Sequence, residues 1–239
     1  MSAVLELRGV TKTYGDVHAL RGVSLDVDPG ELVAVVGPSG SGKSTMLNIV
    51  GTLDRPSSGS ITIAGNDVAT MPDDALSRLR AEHIGFVFQH FHLQAGATAT
   101  ENVADGLLYT GSGRRDRRQR AVAALDRVGL GHRVDHRPNQ LSGGEKQRVA
   151  IARAIVSEPT ILLADEPTGA LDSVSGSAVL ELLRELNDGG TTVIVITHDL
   201  DLAASLPRRV RMRDGAVEHN SAPRGSGPRG DALAVRGAR

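Results

Sequence analysis

The sequence has no cysteine and no tryptophan. Without cysteine there is no disulfide and no Cys-ligated zinc site. Aromatic residues are scarce: Tyr14, Phe86, Phe88, Phe91 and Tyr109 are the whole set. That is too few rings for a platform that stacks single-stranded bases. An excess of one charge is also lacking, since 27 Lys and Arg stand against 28 Asp and Glu, for a formal net charge of -1. A dedicated nucleic-acid binder carries a basic surplus, so this balance argues against that class. Long apolar runs are missing as well. Apolar stretches such as residues 161–164 and 193–196 fall far short of a membrane span. No apolar stretch follows a basic head at the start. The expectation is a soluble, cytoplasmic chain, with any crossing of a membrane left to another chain. Its 239 residues suffice for one domain with a substantial core.

What is present alternates. Residues 4–7 and 25–28 interleave apolar and charged side chains, as half-buried strands do. Continuous apolar runs of strand length appear at residues 32–36, 83–88, 160–164 and 192–197. Such runs suit strands buried on both faces of a parallel sheet. Helical patterns lie between several of them, at 44–53, 145–157 and 175–186, which points to an α/β fold. Residues 60–63 and 209–217 read as further strands, the second turning at Asp214-Gly215. Between 90 and 157 no strand-type run occurs, and helical patterns dominate at 98–108 and 114–128. This stretch reads as an inserted helical subdomain within a single domain spanning 1–219. Residues 220–239, rich in Gly, Pro, Ser, Ala and Arg, read as a disordered tail.

The segment Gly37-Pro-Ser-Gly-Ser-Gly-Lys-Ser-Thr45 follows one strand and opens a helix, which is the context of a P-loop. Gly40 and Gly42 allow the tight turn that aims N–H groups inward, with Ser39 and Ser41 between and beside them. The helix start at Ser44 and Thr45 adds a partial positive charge. Lys43 reaches the β- and γ-phosphates of a nucleotide, and the Ser44 hydroxyl ligates Mg²⁺. A second apolar strand, residues 161–164, ends in Asp165 and Glu166. Asp165 suits the hydration shell of Mg²⁺, and Glu166 the attacking water. Further on, Ser142 and Glu145 form a Ser-x-x-Glu capping box, and Gly143 and Gly144 leave N–H groups bare at that helix start.

LSGG followed by EKQRVAIARAI, and then ILLADEPTGALD, resembles the signature and Walker B block of the ATP-binding cassette (ABC) family. The resemblance covers about residues 3–218. It implies a P-loop NTPase core of α/β type with a parallel sheet, an N-terminal antiparallel β subdomain and the helical insertion. It implies that Tyr14 stacks on adenine, that Gln89 is the Q-loop glutamine near the metal, that Asp172 is the D-loop acid, and that His198 is the switch histidine. It further implies a Mg²⁺-dependent ATPase working as a head-to-tail dimer. In that dimer ATP on one chain's P-loop is closed off by Ser142, Gly143 and Gly144 of the other. Two departures are mild: Glu145 stands where Gln is usual, and Ala170 where Ser or Asn is common.

Within the family, residues 47–59, 84–93 and 167–172 resemble the lipoprotein-release and macrolide-export type. That implies an ATPase subunit peripheral to the inner face of the membrane, driving an exporter or mechanotransmission permease. A cell-division complex and an importer are the alternatives. The stretch 94–100 departs from the usual Leu-Pro pattern just where the groove for a permease is expected. Residues 114–120 hold five arginines, read mainly as a solvated helix start and secondarily as a lipid-facing patch. His132 and His136 stand four apart with no third ligand in sight, so no metal site is assigned to them.

Overall fold

The computed structural model describes residues 2–221. Strands β1 (Leu5–Tyr14) and β2 (Val17–Val27) form an antiparallel hairpin. With β4 (Ser58–Ile63) and the short β5 (Asn66–Asp67) they make a four-stranded sheet in the order β2-β1-β4-β5. A second, six-stranded sheet has the order β10-β9-β3-β8-β7-β6. Its strands are β3 (Leu32–Val36), β6 (Ile84–Val87), β7 (Ile161–Asp165), β8 (Thr192–Thr197), β9 (Arg208–Arg213) and β10 (Ala216–Asn220). All neighbours in it are parallel except β9 and β10, which close a hairpin through Asp214 and Gly215. Both turn residues have positive φ, 49° and 81°, as a tight two-residue hairpin requires. The strand therefore reaches Asn220, and Ser221 donates from its N–H to the Arg209 carbonyl. Both residues fall in the stretch read as tail; the rest of that stretch, 222–239, lies outside the described residues.

The helices are α1 (Lys43–Val50), α2 (Asp73–His83), α3 (Ala99–Ala104), α4 (Arg114–Arg127), α5 (Gly143–Ile155), α6 (Ser173–Asp188) and α7 (Leu200–Ala204). Helices α3 to α5 occupy the chain between β6 and β7. The sequence pattern did not single out α2 or α7. In α2 only Leu76 and Leu79 are buried, too sparse a stripe to register, and α7 is little more than one turn.

Side-chain alternation explains how the large sheet is held. Leu32, Ala34 and Val36 face one apolar cluster, shared with α3, α4, α5 and α6. Val33 and Val35 face the other, shared with α1 and the antiparallel sheet. Successive side chains of a strand point to opposite faces, so an unbroken apolar run is what a sheet covered on both sides demands. Each buried Val or Ile contributes about 1.5–3 kcal/mol. The register pairs Val36 with Thr197, Asp165 with Ile196 and Val87 with Ala164. The C-terminal ends of β3, β8, β7 and β6 thus lie along one edge, the edge where open α/β sheets bind ligands.

Candidate active site

Four consecutive strands of the sheet deliver the expected residues to that edge. β3 leads into the Gly-rich loop, β8 into His198, β7 into Asp165 and Glu166, and β6 into Gln89. The loop is shaped by close contacts. A Cβ on Gly42 would lie 2.6 Å from the Ala19 carbonyl oxygen of β2, and one on Gly37 would lie 2.3 Å from that of Met212 in β9. Neither position admits a side chain. Gly42 is the N-cap of α1 in the left-handed region (φ 95°), no side chain caps the helix, and no acid sits in its first turn. The first N–H groups of α1 are left for an anion. Lys43 lies along the loop, its Nζ donating to the Gly37 and Pro38 carbonyls at 2.7 and 3.0 Å. Ser39, Gly40 and Ser44 are exposed, while Ser41 is buried with its hydroxyl unpartnered among the described residues.

Glu166 stands at φ 45°, an uncommon conformation for a residue with a side chain. Its carboxylate is held by the end of β8. Oε2 accepts from the Thr197 hydroxyl at 2.9 Å, and Oε1 accepts from the His198 N–H at 2.9 Å. The His198 Nδ1 lies 2.7 Å from Oε1. Asp165 is half-buried, and burial pushes its carboxyl above the usual range; the charge of Glu166 adds to this and Lys43 opposes it. A cation beside Asp165 would remove that penalty, so Asp165 with the Ser44 hydroxyl fits a Mg²⁺ site.

Tyr14 ends β1 and is 46% exposed. Its hydroxyl donates to Asp54 at 2.5 Å, and the Lys12 ammonium sits 4.8 Å from the ring centroid. The Asp54 bond, burial and the nearby negative charge raise the Tyr14 hydroxyl above its ordinary value, with the Thr45 hydroxyl opposing. Tyr14 therefore stands beside the start of α1. Asp54, which also accepts from Lys12 at 2.6 Å, was not foreseen; nothing local in the sequence joins it to Tyr14.

Ser142 caps α5, its hydroxyl accepting from the Glu145 N–H at 3.2 Å while Glu145 accepts from the Ser142 N–H at 2.8 Å. Glu145 also pairs with Arg133 at 3.1 Å. Ser142 and Gly143 are exposed, whereas Gly144 is buried against Ser175 of α6. Ser142 serves its own helix, and among the described residues no hydrogen bond joins Ser142, Gly143 or Gly144 to the Gly-rich loop. Asp172 caps α6, accepting from the Val174 and Ser175 N–H groups. His132 lies in a 3-10 turn and His136 beyond it, 2.9 Å from the Arg133 guanidinium, so their spacing is not that of a helix face.

Apart from this edge, a groove of about 610 Å³ runs between α2, β6 and the end of α5. Arg80, Phe88, His92, Asp105, Tyr109 and Arg153 are among its walls. Arg153 donates to the His92 and Phe91 carbonyls at 2.7 and 2.9 Å, fixing the segment that follows Gln89.

The sequence pattern of the family described as ABC transporter matches residues 20–169, more than half of the chain. The chain belongs to the ABC transporter family. It is 50% identical over 224 residues to the macrolide export ATP-binding/permease protein MacB of Salmonella typhimurium. That match takes in 92% of this chain and 35% of MacB, so the chain spans about a third of the length of such relatives. Among solved structures it resembles the dimeric, post-hydrolysis ATP-binding cassette MJ0796 bound to ADP and Pi, with a TM-score of 0.81 and 45% identity. The overlap covers 91% of this chain and 97% of that one. It also resembles cbiO1 of Clostridium perfringens, part of the ABC transporter complex cbiONQ, at a TM-score of 0.84 and 32% identity over 92% and 88% of the two chains. The α/β P-loop NTPase fold with an antiparallel β subdomain is that of ABC cassettes.

Proposed function

We propose that this chain binds ATP with Mg²⁺ at the C-terminal edge of its parallel sheet and hydrolyses it. In this reading it is the motor of an exporter or mechanotransmission complex of the lipoprotein-release and macrolide-export type. The observation that carries the reading is Glu166. A carboxylate in a left-handed backbone position, aligned by Thr197 and His198, lies next to a metal-suited acid and one strand away from β8 and the phosphate cradle beyond it. Strained residues held by their surroundings are a mark of functional positions.

The roles in this reading join what the family resemblance implies to the positions of the residues. The bare N-terminus of α1, with Gly40 and Gly42, receives the phosphates, and Thr45 borders them. Lys43 exchanges two carbonyl partners for phosphate oxygens, and Tyr14 offers its ring to the adenine. Asp165, Ser44 and Gln89 hold the metal, which supplies positive charge for the phosphoryl transfer. Glu166 orients a water and takes its proton, while His198, already against Glu166, keeps that carboxylate aimed and meets the γ-phosphate side. Ser142 and Gly143 are exposed at the start of α5, with Gly144 buried just behind them, and the three would close the ATP of a second copy, as a dimeric relative suggests. The groove beside Arg153 receives a membrane permease, and the association with the inner face of the membrane is through that partner.

The test is turnover. Purified chain with ATP and Mg²⁺ should release phosphate. Glu166→Gln should lower kcat by roughly 10²-fold or more, the scale of a lost general base, with ATP affinity kept. Wild-type turnover in that variant rules out Glu166 as the catalytic carboxylate.

A further inference from the structure

Helix α5 carries one polar residue that is wholly buried. This residue is Gln147; the other buried residues of the helix, Gly144, Val149, Ala150 and Ile151 among them, are apolar or glycine. The Gln147 Nε2 donates to the Pro167 carbonyl at 2.8 Å and stands 3.3 Å from the Phe88 carbonyl. Pro167 directly follows Glu166, and Phe88 directly precedes Gln89. A primary amide carries two N–H groups on one nitrogen, so it can hold two carbonyls at once, which no apolar side chain can do. The other half of the amide is unsatisfied: Oε1 has no partner among the described residues. A buried, half-satisfied amide is a cost to stability. Packing alone would favour Met or Leu at this place.

Two further contacts point to the same segments. A Cβ on Gly169 would lie 3.0 Å from the Gln89 Nε2, so the Gln89 side chain rests on the turn that follows Glu166. Six residues along α5, Arg153 fixes the Phe91 and His92 carbonyls on the far side of Gln89. The flanks of Gln89 are thus both tied to α5, and one of the two ties reaches on to the segment of Glu166.

We propose that Gln147 is a positioning residue for ATP hydrolysis. It fixes the spacing between the Glu166 carboxylate and the Gln89 carboxamide by joining the backbone after one to the backbone before the other. It touches neither side chain and no nucleotide. The proposal rests on the role assigned above to Glu166. It also makes α5, capped by Ser142 little more than a turn before Gln147, the part through which the helical insertion bears on the reacting groups.

Gln147→Met keeps the volume and removes both donors. Its kcat for ATP should fall about tenfold to 10²-fold, as small displacements of reacting groups do, while KM and directly measured ATP affinity stay within about threefold of wild type. Gln147→Glu retains a donor only when its carboxyl is protonated, and burial favours that form. Its activity relative to wild type should therefore climb as pH is lowered, a rescue that packing alone does not produce. A readout independent of turnover is amide hydrogen exchange without nucleotide. The Glu166 and Gly169 N–H groups, bonded to the Ile196 and Glu166 carbonyls, should exchange faster in Gln147→Met. Wild-type kcat in Gln147→Met, a loss of affinity in step with kcat, or unchanged exchange at Glu166 and Gly169 each overturns the proposal. A wild-type chain that fails to hydrolyse ATP would overturn the proposed function, and the exchange measurement would still decide whether Gln147 braces this segment.

Discussion

Asp165 works against the fold that carries it. Burial and the neighbouring charge of Glu166 lift its carboxyl above the unfolded value. A raised carboxylate binds its proton more tightly folded than unfolded, so stability falls as pH climbs from the unfolded value through the folded one. Above the folded value the full penalty is present. Asp165→Asn should therefore raise the melting temperature of the nucleotide-free chain at pH 7, with the gain shrinking as pH drops below the folded value. The same change should remove the Mg²⁺ dependence of ATP binding. A calorimetric scan at two pH values checks the first part, and a lower melting temperature at pH 7 contradicts it. Residues of this kind were readable from the sequence because their spacing is local: Gly37 through Thr45, and Asp165 with Glu166. Asp54 was not, because it meets Tyr14 only through the antiparallel sheet. Gln147 left a fainter trace, as a polar residue at helical spacing from Gly144 and Ile151 on an otherwise apolar stripe.

At the scale of elements, α5 shows how a departure from family habit is absorbed. Glu145 closes the capping box with Ser142 as Gln would, and its charge adds the pairing with Arg133. The Ser142 N–H above all, helped by Arg133, holds the Glu145 carboxyl below the usual range, with burial opposing. A lowered carboxylate lends stability above its unfolded value and loses it as pH falls through the folded one. Ser142→Ala removes the cap and should cost about 1 kcal/mol, a drop of roughly 2–4 °C for a chain of this size. The Ser142 N–H is kept in that variant, so only the smaller share of the Glu145 effect owed to the hydroxyl should leave the acid sensitivity of unfolding, as urea titrations at pH 7 and pH 4 would reveal. Strands were legible where both faces are buried, because unbroken apolar runs have few other uses. Helix α2 was not, because Leu76 and Leu79 alone anchor it and its remaining residues satisfy no period.

At the scale of the molecule, one chain offers a phosphate cradle at the sheet edge and an exposed helix start at Ser142 and Gly143. Two copies placed head to tail would satisfy both. Glu166→Gln, unable to discharge ATP, should accumulate as a dimer with ATP and sediment as a monomer without it. Analytical ultracentrifugation distinguishes the two, and a monomer under both conditions tells against the sandwich for the isolated chain. The layered architecture was legible because strands and helices alternate in the sequence; the order of the strands was not, since periodicity carries no information on which strand pairs with which. That order has a consequence for how the chain is made. Strand β3 is flanked by β8 and β9, both from the far end of the sequence. On a ribosome β3 emerges early and waits for both partners, with both of its edges unpaired, until residues near Arg213 have left the exit tunnel. Domains of such non-local pairing fold late and expose sticky edges meanwhile. The loop that begins the chain's chemistry is thus among the last parts to take shape, and a nascent chain stalled before β8 should aggregate and fail to retain ATP.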